Sequence, residues 1–306
     1  MKLKRVAVLM GGLSVEREVS LRTGAAVAGA LEGLGYSVVK IDVQKDIVSK
    51  LQAEAIDVAF IALHGRYGED GCIQGMLESM FIPYTGSGVL ASAVGMDKVF
   101  SKQVFVACGI PTPEYRSFAS ADAALAEAER LPFNYPVVVK PSREGSSVGV
   151  HICKTVSEYR QVIPEVALLA GSILVERFIK GREVQGAVLN DLSLGAIEII
   201  PAHEFYDYAA KYNVGSGTQY LFPAPLPEKE YALVNSTCLA AHRALGCQGA
   251  SRSDVIVTPS GEIFLLELNT LPGMTATSLL PKIAAGSGID FSQLCEKLVI
   301  GASLKA

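Results

Sequence analysis

The chain has 306 residues, of which 50% are hydrophobic and 19% are charged, as is typical of a globular protein and not of a disordered one. Its net charge of -4, without any block of like charge, argues against a nucleic-acid partner, which needs a basic face. No run approaches the roughly 18 apolar residues of a membrane span, and the cysteines form no Cys-x-x-Cys pair, so we expect a cytoplasmic protein with no membrane partner.

The first hundred residues or so alternate strand and helix signals. Short apolar runs at 6–10 and 58–63 stop at glycine-containing turns, and a third strand is predicted over 36–43. Apolar residues at helical spacing between 27 and 34 predict a helix between the first two strands. This βαβ pattern predicts a doubly wound parallel sheet, whose ligands bind beyond the carboxyl ends of the strands.

The remainder of the chain divides into two further predicted units. The central unit carries a strand that ends at Lys140, and the C-terminal unit has β-rich stretches and one long helix. We therefore expect an α/β protein, α+β in its C-terminal part, with domains at 1–96, 97–180 and 181–306. The loop 203–223, rich in aromatic residues and glycine, has the composition of a lid that closes and expels water; the alternative is an aromatic mini-core.

An acidic stretch near the C-terminus is typical of a magnesium site. Glu267 and Asn269 are two residues apart on an otherwise apolar strand, which places both side chains on one face. Asp254 is predicted to end a neighbouring strand, within reach of the same ion. Carboxylate and amide oxygens suit Mg²⁺. The alternative is a buried ion pair between Glu267 and Arg252, which shares a face with Asp254.

A glycine-serine loop follows Lys140 over residues 141–149. Small residues let backbone N–H groups converge on an anion, and a lysine beside such a loop suits nucleotide phosphates. The loop is not a Walker loop, since the chain contains no Gly-Lys dipeptide. A plain surface turn is the alternative.

Two polar segments follow the first and third predicted strands. Glu16 could bind an ammonium group, or could be a solvated glutamate favoured by the helix dipole. The segment 64–71 is interpreted as a structured loop near a substrate; a plain loop, or a metal site formed by His64 and Asp70, remains open.

Together the motifs resemble the D-alanine–D-alanine ligases of the ATP-grasp superfamily over nearly the whole chain. The motifs that carry the resemblance are Gly11-Gly12-x-Ser14-x-Glu16-Arg17-Glu18-Val19-Ser20, His64-Gly65-x-x-Gly68-Glu69-Asp70-Gly71, Met96-Asp97-Lys98, Lys140-Pro141-x-Arg143-Glu144-Gly145-Ser146-Ser147-Val148-Gly149, Tyr206-Asp207-Tyr208-x-x-Lys211-Tyr212 and Glu267-x-Asn269-Thr270-x-Pro272-Gly273-Met274. The resemblance implies an α/β N-terminal domain followed by a two-subdomain ATP-grasp fold, and ATP-dependent joining of two D-alanines through D-alanyl phosphate for peptidoglycan precursors.

The resemblance also implies roles for individual residues. The implied ATP-binding residues are Lys98, Lys140, Glu176, Phe178, Ile179, Glu183 and Lys211. The implied ligands of Mg²⁺, with two ions expected and Mn²⁺ able to substitute, are Asp254, Glu267 and Asn269. Glu16, His64 and Ser278 are implied to bind the two D-alanines. Glu16, Ser146 and Tyr212 are implied to form the triad that ties the lid to the first substrate, and Arg252 and Gly273 are implied to stabilise the oxyanion.

Further expectations concern specificity and assembly. In the family a tyrosine at the position of Tyr212 goes with dipeptide-forming enzymes, and a phenylalanine goes with enzymes that use D-lactate as acceptor. A homodimer is implied as well. Two alternatives stay open: an ATP-grasp ligase for a different amino or hydroxy acid, and a non-catalytic nucleotide sensor. Retention of Arg252, the three metal ligands and both lysines argues against the sensor.

Overall fold

The N-terminal part of the computed structural model, which describes residues 4–145, 148–169, 171–200 and 217–305, is built on a parallel sheet. Its strands have the order β2-β1-β3, and both pairs are parallel. The elements of this part are β1 (Arg5–Gly11), α1 (Arg17–Gly33), β2 (Ser37–Val43), α2 (Ile47–Ala53), β3 (Val58–Ile61), α3 (Cys72–Ser79) and α4 (Val89–Met96). The parallel sheet predicted from the sequence is confirmed.

Both faces of this sheet are covered, as its uniformly apolar strands require. Val6 and Val8 of β1 pack into one buried cluster together with Val27 of α1. The alternate residues Ala7 and Leu9 pack into a second cluster on the opposite face. Since successive side chains of a strand point to opposite faces, the run that predicted β1 also accounts for its burial on both sides.

The central part is an antiparallel sheet of order β4-β7-β5-β6. Its elements are α5 (Lys98–Ala107), β4 (Tyr115–Phe118), α6 (Ala121–Ala126), β5 (Val137–Pro141), β6 (His151–Cys153), α7 (Val156–Val166) and β7 (Ile173–Arg177). Asp97 caps α5, because its side chain accepts hydrogen bonds from the backbone N–H groups of Val99 and Phe100. This cap fixes where the helix begins and makes Lys98 its first residue.

The C-terminal part is a second antiparallel sheet, of order β10-β9-β8-β11-β12. Its elements are β8 (Arg182–Leu189), β9 (Leu192–Ile200), β10 (Gln219–Leu221), α8 (Glu228–Ala244), β11 (Ala250–Val257), β12 (Ile263–Asn269), α9 (Leu279–Gly286) and α10 (Phe291–Ile300). One face packs against α8. The other face shares a core with α9, α10 and the N-terminal sheet, which brings residues near the ends of β1 and β3 towards β11 and β12.

The strands of the three sheets fall within 1–96, 97–180 and 181–306 respectively. These ranges remain our proposal for the domain boundaries. Most of the loop 203–223, including Lys211 and Tyr212, lies outside the described residues, as does Ser146. In the part of the chain that the structure describes, no helix is long and apolar enough to cross a membrane.

Candidate active site

Four polar side chains face one another on the two strands at the edge of the C-terminal sheet. In the antiparallel register of β11 and β12, Asp254 lies opposite Glu267 and Arg252 lies opposite Asn269. The prediction that Asp254 ends a strand is wrong, because β11 continues to Val257 and is paired with β8 and β12 on either side. The register shifts after Asp254, so the irregularity falls beside the acidic pair.

Each member of this group has a defined partner. Arg252 Nε donates to Asp254 Oδ1 at 3.0 Å, and Glu267 Oε2 lies 3.4 Å from Lys98 Nζ. Asn269 Oδ1 accepts a hydrogen bond from the backbone N–H of Leu271 at 2.8 Å, which orients the amide. The ion pair formed by Arg252 therefore includes Asp254, whereas the sequence had left a pair with Glu267 open.

The oxygen ligands offered by Asp254, Glu267 and Asn269 suit magnesium, which also takes ligands from water and phosphates, better than a metal that is held by protein ligands alone. Among the described residues, no group of three or more His, Cys, Asp or Glu side chains is arranged to hold a metal ion. Asp254 and Glu267 offer two carboxylates, and Asn269 adds an amide oxygen. Mg²⁺ is commonly bound by one or two carboxylates together with water and substrate phosphates, so this set is sufficient if phosphates bind beside it.

Two of the predicted phosphate-binding lysines lie close to this group. Lys98 Nζ donates to the backbone carbonyl of Glu144 at 2.7 Å, which ties the start of α5 to the glycine-serine loop. Lys140, in β5, has a side chain that is 7% exposed and an Nζ that lies 2.7 Å from Glu176 Oε2. Burial alone lowers the pKa of Lys140, but the opposing charges of Glu176 and Glu267 outweigh it, so the net shift is upward.

A third lysine, which the sequence analysis missed, completes this cluster. Lys102 is fully buried, and its Nζ lies 2.5 Å from Glu176 Oε1. Burial lowers the pKa of Lys102 to about 8, an effect that Glu176 offsets only in part. The pKa of Glu176 is lowered, because the two lysines outweigh the effect of its burial. Its spacing of one helical turn from Lys98 is equally typical of a solvated helix face, so the sequence contains no specific signal for it.

One cavity lies between the central and C-terminal sheets. Apolar residues such as Val138, Ile256 and Leu266 form its walls. The predicted nucleotide-binding residues and metal ligands that line it are Lys98, Lys140, Glu176, Phe178, Ile179, Glu183, Asp254 and Glu267. The cavity thus combines apolar walls with charged side chains, two of them lysines, and this combination suits a planar ring that carries an anionic tail.

A second cavity lies between the N-terminal and C-terminal parts. The predicted substrate-binding, oxyanion and metal residues that line it are Glu16, His64, Arg252, Glu267, Asn269, Gly273 and Ser278. Lys98 and Glu267 line both cavities, so the two are adjoining compartments that meet at these side chains. Gln185 also lines the second cavity; it is buried, and its Oε1 has no hydrogen-bond partner among the described residues.

The N-terminal wall of the second cavity is held by a small network. Ser14 Oγ donates to the backbone carbonyl of His64 at 2.7 Å and accepts from the backbone N–H of Glu16 at 3.1 Å. His64 Nε2 lies 3.0 Å from Thr23 Oγ1. Asp70 instead accepts from backbone N–H groups of its own turn, so the geometry does not support a metal site shared by His64 and Asp70.

The C-terminal part contributes to this cavity with the segment between β12 and α9. Ser278 is the residue before α9 and therefore lies at a helix N-terminus. Ser278 Oγ accepts from the backbone N–H of Thr275 at 3.0 Å. A Cβ added to Gly273 would stand 2.8 Å from Ser278 Oγ, which shows how closely the backbone at Gly273 approaches this hydroxyl.

Comparison with known proteins places the chain among relatives of nearly the same length. Residues 104–300 match the family described as D-ala D-ala ligase C-terminus, and residues 45–87 match D-ala D-ala ligase N-terminus. A D-alanine–D-alanine ligase of Anaeromyxobacter sp. (strain Fw109-5) is 57% identical over 99% of this chain and 98% of its own. One of Geotalea uraniireducens is 56% identical over 100% of this chain and 97% of its own.

Solved structures agree in fold. A D-alanine–D-alanine ligase from Bacillus anthracis complexed with ATP superposes with a TM-score of 0.86, at 37% identity, over 98% of this chain and 97% of that one. The VanG D-Ala:D-Ser ligase from Enterococcus faecalis has a TM-score of 0.84, at 30% identity, over 97% of this chain and 98% of its own. With its parallel N-terminal sheet, its two antiparallel sheets and these matches, the chain belongs to the D-alanine–D-alanine ligase family of ATP-grasp enzymes.

Proposed function

We propose that the chain joins two molecules of D-alanine to D-alanyl-D-alanine, with conversion of ATP to ADP and phosphate, for the synthesis of peptidoglycan precursors. The observation that carries this proposal is the meeting of two cavities at Lys98 and Glu267. One cavity has the apolar walls and lysines that suit a nucleotide, and the other is lined by the carboxylate of Glu16 and by Ser278 at a helix N-terminus. The reaction needs this adjacency, because the γ-phosphate has to reach a carboxylate.

The nucleotide would occupy the cavity between the central and C-terminal sheets. Residues 176–179, together with Glu183, would hold the adenine and ribose, with Phe178 against the ring. Lys98 and Lys140 would bind the phosphates, and Lys211, outside the described residues, would join them from the lid. Phosphoryl transfer depends mainly on positioning and charge stabilisation, which the lysines that line this cavity supply.

Asp254, Glu267 and Asn269 would hold Mg²⁺, with two ions expected and Mn²⁺ able to replace them. When bound, the metal supplies positive charge against the phosphate oxygens. The support for this assignment is the opposed pair Asp254 and Glu267, with the fixed amide of Asn269 beside it.

The first D-alanine would bind at the N-terminal wall, with its ammonium group on Glu16 and His64 nearby. Its carboxylate attacks the γ-phosphate, the bond from that phosphorus to the bridging oxygen of ADP breaks, and D-alanyl phosphate forms. Ser146 and Tyr212, outside the described residues, would tie the lid to Glu16 and keep water from this intermediate.

The second D-alanine would place its carboxylate on Ser278, where the N-terminus of α9 also favours an anion. Its neutral amine attacks the carbonyl carbon of D-alanyl phosphate and gives a tetrahedral oxyanion. Arg252 and the N–H of Gly273 would stabilise this oxyanion. The attacking nitrogen loses a proton, the carbonyl re-forms, and the bond from the acyl carbon to the phosphate oxygen breaks to release phosphate. Loss of one donor of this kind typically raises the barrier by about 2.7–4 kcal/mol.

The test is an assay of ADP release combined with mass detection of the dipeptide, with Mg-ATP and D-alanine, D-serine, D-lactate or L-alanine. With D-alanine, we expect ADP to be released and the product to have the mass of D-alanyl-D-alanine. Ser278→Ala should raise the KM for the second D-alanine, whereas Ser236→Ala, on the exposed side of α8, should not change it. Folded protein that binds nucleotide but forms no dipeptide would contradict the proposal.

Tyr212→Phe tests acceptor choice. We expect the ratio of D-lactate to D-alanine use to rise, since the tyrosine accompanies dipeptide formation in the family. An unchanged ratio would mean that acceptor choice is set elsewhere.

We also propose that the enzyme acts in the cytoplasm as a homodimer. A need for ATP supports the location. The homodimer is carried over from the resemblance to the D-alanine–D-alanine ligase family. Light scattering of the purified chain would give the mass directly.

A further inference from the structure

Lys102 is a buried charged residue that the reaction outlined above does not use. It lies in α5 with 0% of its side chain exposed, and it is among the largest fully buried side chains of the described residues. Its ammonium group contacts Glu176 and Thr112 and lies 5.5 Å from the centre of the Tyr115 ring. It lines neither of the two adjoining cavities, so a ligand in them would not touch it.

The charges around Lys102 do not balance. Glu176 places one carboxylate oxygen 2.5 Å from Lys102 Nζ and the other 2.7 Å from Lys140 Nζ. One negative charge is therefore shared by two positive charges, and all three side chains are buried. A buried excess charge is costly unless a counter-ion meets it. Because Lys140 lines the nucleotide cavity and Lys102 does not, the excess positive charge is presented to that cavity through Lys140.

If Lys102 were neutral, Glu176 and Lys140 would form a closed pair with no net charge. We propose that Lys102 is a positioning residue, which neutralises Glu176 and so leaves the charge of Lys140 available to the nucleotide phosphates. This inference rests on the proposed function, in which those phosphates bind at Lys98 and Lys140. Asp254 and Glu267 also attract Lys140, but they face the proposed metal, whose charge opposes theirs.

The contacts of Lys102 also allow a purely mechanical role, which the test has to separate. Thr112 Oγ1, which accepts from Lys102, donates to the backbone carbonyl of Leu265 at 2.8 Å. The N–H of Leu265 donates to the carbonyl of Pro111 at 2.8 Å. Lys102 thus helps to fasten the segment before β4 to β12, the strand that carries Glu267. A mechanical role would affect every ligand of the cavity, whereas the charge role affects only ligands with phosphates.

The experiment compares the binding of Mg-ADP and of adenosine to the full-length protein by calorimetry. Lys102→Met removes the charge and keeps an unbranched side chain of similar length. We expect its Kd for Mg-ADP to rise by about tenfold or more, since one unit of charge close to the ligand in a poorly polar site outweighs thermal energy. The Kd for adenosine, which has no phosphate, should stay within about twofold of wild type.

The decisive variant is the double substitution Lys102→Met/Glu176→Gln. It removes one positive and one negative charge together, so Lys140 regains its excess charge. Because Glu176 is also proposed to contact the adenine of both ligands, the comparison is between them: the ratio of the Kd for Mg-ADP to the Kd for adenosine should return to within about threefold of wild type. Thr112→Val, the matched control, should lower the Tm through the lost hydrogen bonds and leave the Kd for Mg-ADP unchanged.

Three results would overturn the inference: an unchanged Kd for Mg-ADP in Lys102→Met, equal losses for adenosine and Mg-ADP, or no recovery in the folded double variant. If Lys102→Met does not fold, Glu176→Gln decides. Loss of its adenine contact weakens Mg-ADP and adenosine alike, but Lys140 keeps its charge, so the ratio of the two Kd values should stay within about threefold of wild type. A loss of Mg-ADP binding in that variant that clearly exceeds its loss of adenosine binding would then overturn the inference. Wild-type protein that fails to bind Mg-ADP at all would instead count against the proposed function.

Discussion

Asp254 and Glu267 lie directly opposite each other on the neighbouring antiparallel strands β11 and β12. Two carboxylates in this position repel each other unless cations lie near them, and Arg252 and Lys98 are the cations in contact with them. The arrangement therefore prepares a place where positive charge is favourable, next to the cavity proposed for the nucleotide.

The first prediction concerns this pair. Glu267→Gln should weaken the apparent affinity for Mg²⁺ by at least the 10- to 100-fold that is typical for loss of an outer partner of a metal site. Titration of ADP release with Mg²⁺ gives the activity, and electron paramagnetic resonance of Mn²⁺ with ADP gives binding without turnover. The matched control is Glu262→Gln, an exposed glutamate in the turn before β12, which should behave as wild type. Equal Mn²⁺ affinity in both variants would contradict the assignment.

The sequence was informative where the alternation of side chains along one strand was enough to place two of the proposed metal ligands on the same face. The spacing of Glu267 and Asn269 placed both on one face of a strand, and the structure has them lining one cavity. The predicted end of the strand at Asp254 was wrong, because the polar run Arg252-Ser253-Asp254 is typical of the end of a strand. In the structure β11 is paired on both sides, so its backbone hydrogen bonds continue through that run.

Lys102 was not predictable in the same way. A lysine one turn after Lys98 on a helix with apolar neighbours is typical of a solvated face. Its burial results from Glu176 and Thr112, which the fold brings to it from other elements. Partners distant in sequence leave no periodic signal, so the role of this residue follows only from the three-dimensional contacts.

The second prediction concerns Glu16 and the glycine beside it. Gly65 has a φ of +68°, and an added Cβ would stand 2.8 Å from Glu16 Oε2. Gly65→Ala should therefore displace the Glu16 carboxylate and raise the KM for the first D-alanine, with a smaller effect on the KM for ATP. Steady-state kinetics at saturating ATP measure the change.

Gly109 offers the matched control for this substitution. Its φ is +69°, and an added Cβ would meet nothing within 4 Å. Gly109→Ala carries the same backbone strain, of order 1 kcal/mol, without any contact to the site. We expect a lower Tm but wild-type KM values. A rise in the KM for D-alanine in both variants would show that loss of stability, and not the displacement of Glu16, is responsible.

The third prediction tests how α1 packs on β1. An added Cβ at Gly24 would come within 2.4 Å of Met10 Cβ, whereas at Gly29, in the same helix, it would meet nothing within 4 Å. Gly24→Ala should lower the free energy of unfolding by about 1–3 kcal/mol through overpacking. Gly29→Ala should raise it by roughly 0.5–1 kcal/mol, since alanine is the better helix former. Urea denaturation measures both, and changes of the same sign would refute this description of the packing.

The last prediction is a pH dependence carried by Asp42 and Arg17, next to the loop that bears Glu16. The Arg17 guanidinium donates to both Asp42 carboxylate oxygens, at 2.7 and 2.6 Å, and to the backbone carbonyl of Gly12 at 3.1 Å. The hydrogen bonds from Arg17 to the carboxylate, with burial opposing them, lower the pKa of Asp42 to about 2. The ionised carboxylate therefore stabilises the folded state above its unfolded pKa of about 3.9, and this contribution is lost as the pH falls through about 2.

Asp42→Asn removes the titrating group. Because the two side chains are 36% and 40% exposed, we expect it to lower the free energy of unfolding by less than about 1 kcal/mol at pH 7. The difference from wild type should shrink as the pH falls from about 4 to about 2, which chemical denaturation at several pH values would follow. Asp46→Asn, which removes the more exposed pair with Lys50, is the control and should show a smaller difference at pH 7. If the difference in free energy of unfolding between wild type and Asp42→Asn stays constant down to pH 2, Asp42 acts through packing and not through its charge.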